Sequence, residues 1–183
     1  MPGRKILITG YPGVGKTTLM NSLITCIKEK IKITGFVTKE IRDENTARRT
    51  GFTIEDFKGN ILIMAHLNFK TQYRIGFYGV NIDNINKIAL PVLREREEND
   101  LVIVDEIGIM ELFSEELRKE FDKLFEDSSL LVATIKQKRN PVLDRYKSLD
   151  YVSLYNLERN NREEIFQKVL AEISKSITLH SSL

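Results

Sequence analysis

Three consecutive apolar positions, Ile6, Leu7 and Ile8, are followed by a glycine-rich polar stretch. Leu19, Leu23, Ile24 and Ile27 then recur at three- and four-residue spacing. The first run suits a buried strand and the second one face of a helix, so the chain is predicted to open strand, loop, helix, with the helix over residues 18–30. From residue 33 the period shortens. ITGFVT (33–38), GFTI (51–54) and a run over 60–64 alternate with turn-rich, charged segments. They predict a small antiparallel excursion of two or three strands after the first helix.

A helical period returns over residues 82–98, with Ile85, Ile88, Ala89, Val92 and Leu93 on one side, and Pro91 is expected to kink or restart it. LVIVDE, residues 101–106, is an uninterrupted apolar run ending in two acids. That pattern fits a central parallel strand buried on both faces with its polar end at the ligand-binding edge. Ser114 is placed to cap a helix whose stripe is Leu117, Phe121, Leu124 and Phe125. Strands over 130–135 and 151–154 and a closing amphipathic helix over 162–177 complete the pattern. Strands alternating with helices predict an α/β, mainly parallel, doubly wound sheet with helices on both faces.

Length and charge narrow this picture. The 183 residues, 42% of them apolar, suffice for one core, and a single domain over 1–183 is expected. Lys and Arg number 28 against 26 Asp and Glu, which gives no support to nucleic acid or an anionic membrane as partner. The N-terminal apolar run is too short for a signal peptide, and no segment approaches the roughly 20 apolar residues of a membrane span. The lone cysteine, Cys26, is expected on the buried face of the first helix, and the chain is expected to be cytoplasmic and reduced. The tail HSSL, 180–183, is expected to fray.

The chemistry begins between the first strand and helix. Gly10, Tyr11, Pro12, Gly13, Val14, Gly15, Lys16 and Thr17 have the spacing of a phosphate loop. In such a loop backbone N–H groups and a helix N-terminus surround a triphosphate, the lysine reaches the β and γ oxygens, and the hydroxyl holds Mg²⁺. Asp105 at the end of LVIVDE is where this fold needs a carboxylate near that ion. Glu106, the next residue, is positioned to polarise an attacking water, which points to hydrolysis.

Asp105-Glu106-Ile107-Gly108 also fits the aspartate-x-x-glycine element of GTP switches. The guanine reader Asn-Lys-x-Asp is lacking, because the one Asn-Lys pair, Asn86-Lys87, precedes the aspartate. Nucleotide kinases share the loop and need an arginine-rich lid, for which residues 136–145, KQKRNPVLDR, are the candidate. A kinase for a nucleoside, nucleotide or RNA end, and a nucleotide-dependent switch with little turnover, are the alternatives. Arg42 and Arg49 are candidates for the γ-phosphate or substrate, and Asn161 and Arg162 for the base.

Together, GYPGVGKTTL, GFVTKEIR (35–42), RTGF (49–52), YGVN (78–81), VDEIGIMEL (104–112), ATI (133–135) and NR (161–162) resemble the THEP-type nucleoside-triphosphatase family over nearly the whole chain. The resemblance implies Mg²⁺-dependent hydrolysis of ATP, GTP and other triphosphates, slow and tolerant of the base. It implies phosphate binding by residues 10–17, with Thr18 at the α-phosphate and Asp105 ordering the metal held by Thr17. Leu101, Val102, Ile103, Val104, Asp105, Glu106, Ile107 and Gly108 would line the nucleotide site. On this resemblance Glu106 would be the base, with Glu111 in the same motif assisting or replacing it. Lys136, after ATI, departs from the family pattern.

Overall fold

A computed structural model of the protein describes residues 2–97 and 99–180. Among these residues nine strands form one sheet, which falls into two halves. The parallel half comprises β1 (Lys5–Thr9), β2 (Ile33–Arg42), β7 (Leu101–Ile107), β8 (Leu130–Ile135) and β9 (Val152–Asn156). The order across it is β2-β7-β8-β1-β9. Beyond β2 the antiparallel strands β3 (Arg49–Asp56), β4 (Ile61–His66), β6 (Tyr78–Val80) and β5 (Arg74–Ile75) continue the sheet to its edge. The excursion expected after the first helix is therefore an extension of the main sheet. Its last two strands, of two and three residues, are too short to leave a period in the sequence.

Successive strand residues point to opposite faces, and the sequence supplies both with apolar side chains. Ile6 and Ile8 of β1 and Leu101 and Ile103 of β7 join one core layer, under α1 (Lys16–Ile27) and α5 (Arg162–His180). Leu7, Val102 and Val104 join the other, under α2 (Ile82–Arg94), α3 (Glu115–Glu126) and α4 (Pro141–Lys147). β2 lies unusually close to β7 at one point. Gly35 has φ +113°, and a Cβ there would stand 2.0 Å from the Ile103 carbonyl oxygen, so only glycine fits.

Several expectations are corrected. The second helix runs through Pro91 without restarting, and ends at Arg94, where the Glu95 N–H bonds the Pro91 carbonyl at 2.8 Å. A proline three residues from a helix end removes a single internal bond. Residue 98, the last of that expected helix, lies outside the described residues, as do 181–183 of the tail. Cys26 is exposed, because the stripe packed against the sheet is Leu19, Met20, Leu23 and Ile27, and position 26 faces away from it. Ser114 caps α3 as its spacing predicts, accepting the Leu117 N–H at 3.0 Å.

Candidate phosphate site

The C-terminal ends of the parallel strands collect the candidate residues. β1 stops at Thr9, and the loop turns through Gly13 (φ +77°) and Gly15 (φ +105°) before α1 starts at Lys16. Gly15 is the N-cap of α1 and offers no side-chain cap, so the first N–H groups of the helix face the loop without a side-chain acceptor. This is the geometry that attracts a phosphate anion. Lys16 folds back over the loop, its Nζ donating to the Gly10 carbonyl at 3.1 Å. Arg162, at the start of α5, donates through Nη2 to the Val14 carbonyl at 3.2 Å. Its guanidinium occupies the space a Cβ on Gly15 would need, 2.5 Å away.

Two strands along from β1, β7 carries the acidic pair just before its last residue, Ile107. The regular pairing of β7 with β8 breaks between Val104 and Ile107, which sets Asp105 and Glu106 apart from the ladder. Asp105 is 3% exposed. Its Oδ1 accepts a hydrogen bond from the Thr134 hydroxyl at 2.5 Å, and its Oδ2 is buried with no partner among the described residues. Burial raises its pKa, opposed by the hydroxyls of Thr134 and Thr17 and the charge of Lys16. Phosphate loop and strand tip therefore meet at Lys16, Thr17 and Asp105.

Glu106 is half-buried, and its pKa is raised by that burial, with Lys136 and Lys16 opposing and Asp105 reinforcing the shift. Glu111 opens a 3₁₀ turn, Glu111–Phe113, and is 5% exposed. Burial pushes its carboxyl up to about 7, and the neighbouring Glu106 charge adds to this. Gly108 admits it: a Cβ there would lie 2.8 Å from Glu111 Oε2.

Other candidates lie elsewhere. Leu101, Val102, Ile103, Val104 and Ile107 are 0% exposed and packed into the two core layers, so β7 offers the site only its tip. Arg42 and Arg49 both pair with Glu40 on the excursion; Arg49 also lies 4.9 Å over the Phe52 ring. Asn161 braces the preceding turn, accepting the Glu158 N–H at 2.8 Å and donating to the Asn156 carbonyl at 3.0 Å. The candidate lid over 136–145 divides into a loop and helix α4, which Asn140 caps. Leu143 and Tyr146 anchor that helix in the core, and Arg145 pairs with Asp122, so Arg145 is no lid arginine.

Thr134 escaped the sequence reading. Its signal was a single hydroxyl within the otherwise apolar LLVATI, which reads equally as an ordinary β-branched strand residue.

A phosphate loop facing a buried aspartate, on a parallel sheet with helices on both faces, defines a nucleotide-binding protein of the phosphate-loop class. Comparison with known proteins narrows this further. A family profile described as NTPase matches residues 5–170. The chain is 40% identical over 167 residues to nucleoside-triphosphatase THEP1 of Thermotoga petrophila, covering 91% of this chain and 90% of that protein. The crystal structure of THEP1 from the hyperthermophile Aquifex aeolicus matches with TM-score 0.83 at 33% identity, covering 92% of this chain and 98% of that one. The solution structure of a human cancer-related nucleoside triphosphatase matches with TM-score 0.82 at 26% identity, over 95% and 99% of the two chains. The chain belongs to the THEP1 nucleoside-triphosphatase family.

Proposed function

We propose that this chain, acting as one domain over residues 1–183 in the cytoplasm, hydrolyses nucleoside 5′-triphosphates to the diphosphate and phosphate by attack of water on the γ-phosphorus. The observation that carries the reading is the Asp105 carboxylate, buried beside Thr17 and Lys16 with Glu106 next to it in sequence. Lys16, the loop N–H groups and Thr18 hold the triphosphate. Glu106 accepts a proton from the attacking water and orients it in line.

The unpartnered Asp105 Oδ2 and the adjacent Thr17 hydroxyl fit a hard cation, whose ligands are oxygens. They are the residues that would hold Mg²⁺, which when bound neutralises charge on the β- and γ-phosphate oxygens. Broad base tolerance accords with Asn86-Lys87, the nearest approach to a guanine reader. These residues lie on α2, where the Asn86 side chain accepts the Ser114 hydroxyl.

Phosphate release from ATP, GTP, CTP and UTP, measured with Mg²⁺ and again with EDTA, tests this reading. Release from all four that EDTA abolishes is expected. Release from a single nucleotide would contradict the base tolerance, and release untouched by EDTA the metal assignment.

A further inference from the structure

Glu106, which the charge of Lys16 in the loop reaches, also belongs to a cavity. A pocket of about 400 Å³ is lined in part by Glu106 and Gly108 and by none of residues 10–17. Its size is within the range of small-ligand sites, about 300–1,000 Å³. The antiparallel excursion builds one wall, with Phe52 of β3, Met64 of β4 and Ile75 of β5; Ile109 and Met110 build another. Glu111 adds a buried carboxyl.

The mouth is basic. Lys136, Lys138 and Arg139, from the loop after β8, line the same pocket and form none of the ion pairs found among the described residues. Elsewhere on the surface Arg42, Arg49, Arg94 and Arg145 are each paired with a carboxylate. Lys136 acts on the Glu106 and Glu111 carboxyls, but Lys138 and Arg139 beside an apolar cavity favour a ligand with its own anionic group, and the apolar walls favour a flat ring. Glu106 and Glu111, which line the pocket and interact through charge, disfavour an anion beside them and favour a hydroxyl, which donates to a carboxylate.

We infer that this pocket binds a mononucleotide, its base against Phe52 and Met64, its phosphate on Lys138 and Arg139 and a ribose hydroxyl at Glu106, and that the enzyme transfers the γ-phosphoryl group to that hydroxyl. The inference rests on the proposed hydrolytic site, because the same Glu106 serves both acceptors. The hydroxyl oxygen forms a bond to the γ-phosphorus and its proton passes to the Glu106 carboxylate. The bond from that phosphorus to the β–γ bridging oxygen breaks, and its electron pair leaves on the nucleoside diphosphate. Water takes the acceptor's place when the pocket is empty.

The test incubates the whole protein with Mg²⁺ and γ-³²P-labelled ATP, alone and with millimolar adenosine 3′-monophosphate, guanosine 3′-monophosphate or adenosine 5′-monophosphate. Inorganic phosphate and labelled mononucleotide are separated and counted. We expect label on at least one mononucleotide at the expense of phosphate release. In the double variant K138A/R139A, both exposed positions, transfer should fall at least ten-fold while phosphate release without acceptor is unchanged. Phosphate release that continues with no labelled mononucleotide overturns the inference and leaves the hydrolytic reading standing. Transfer without any release to water overturns the hydrolytic reading instead. Transfer that survives in K138A/R139A, or a variant that loses phosphate release without acceptor, overturns the assignment of these cations to a second ligand.

Discussion

The Thr134 hydroxyl donates to Asp105 Oδ1 at 2.5 Å, which fixes one oxygen of the carboxylate and leaves the other, Oδ2, buried with no partner among the described residues. The buried carboxylate is thereby aimed, and a hydrogen bond at 0% exposure cannot be replaced by water. Thr134→Val keeps the shape of the side chain and removes the donor. Leaving a buried acceptor unsatisfied costs about 1–3 kcal/mol. The variant should therefore melt lower in EDTA and need more Mg²⁺ for half-maximal phosphate release. A thermal melt with a Mg²⁺ titration checks both, and wild-type values in both would remove Thr134 from the account.

Glu111 makes stability depend on pH. Its folded pKa, about 7, lies above the ordinary 4.5, so the folded state holds a proton that the unfolded chain releases. This contribution is fully present below about pH 4.5 and is lost as pH rises to about 7, above which stability is flat in this group. Glu111→Gln mimics the protonated form at every pH. It should melt above the wild type at pH 8, by an amount on the order of 3 kcal/mol at most, and the gap should close toward pH 5. A gap independent of pH, measured by calorimetry across that range, would count against the buried carboxyl.

Arg162 ties α5 to the phosphate loop through the Val14 carbonyl. Arg162→Ala leaves the loop sequence intact but releases it. Losing roughly 1 kcal/mol of loop ordering corresponds to about five-fold weaker nucleotide binding. The melting temperature should change little, because the contact is only part-buried. Calorimetric titration with a slowly hydrolysed ATP analogue reads the affinity, and an unchanged value would make Arg162 a packing residue only.

Much of this was legible in the sequence, for identifiable reasons. Gly10, Gly15, Lys16 and Thr17 read clearly because a phosphate loop is local and its spacing is set by backbone geometry. LVIVDE read clearly because burial on both faces demands an unbroken apolar run. The placement of Thr134 against Asp105 was hidden, since it depends on the pairing of β7 with β8 and on a break in that pairing. Helix α4 was hidden for another reason. Its seven residues hold two buried side chains, Leu143 and Tyr146, too few to display a period, and the charged KQKR before it dominated the reading. Cys26 went astray because an apolar helix face was drawn one position too wide: Ile27 is buried and its neighbour is not.

The role of Glu106 is tested most directly by measuring ATP binding and phosphate release side by side in the wild type and in Glu106→Gln. The substitution keeps size and shape, replaces one accepting oxygen by an NH₂ donor and so removes the proton acceptor; binding should stay within about two-fold while release falls by roughly 10²–10⁴, the usual contribution of a positioned base. A Gln variant that releases phosphate at the wild-type rate would contradict the account and turn attention to Glu111.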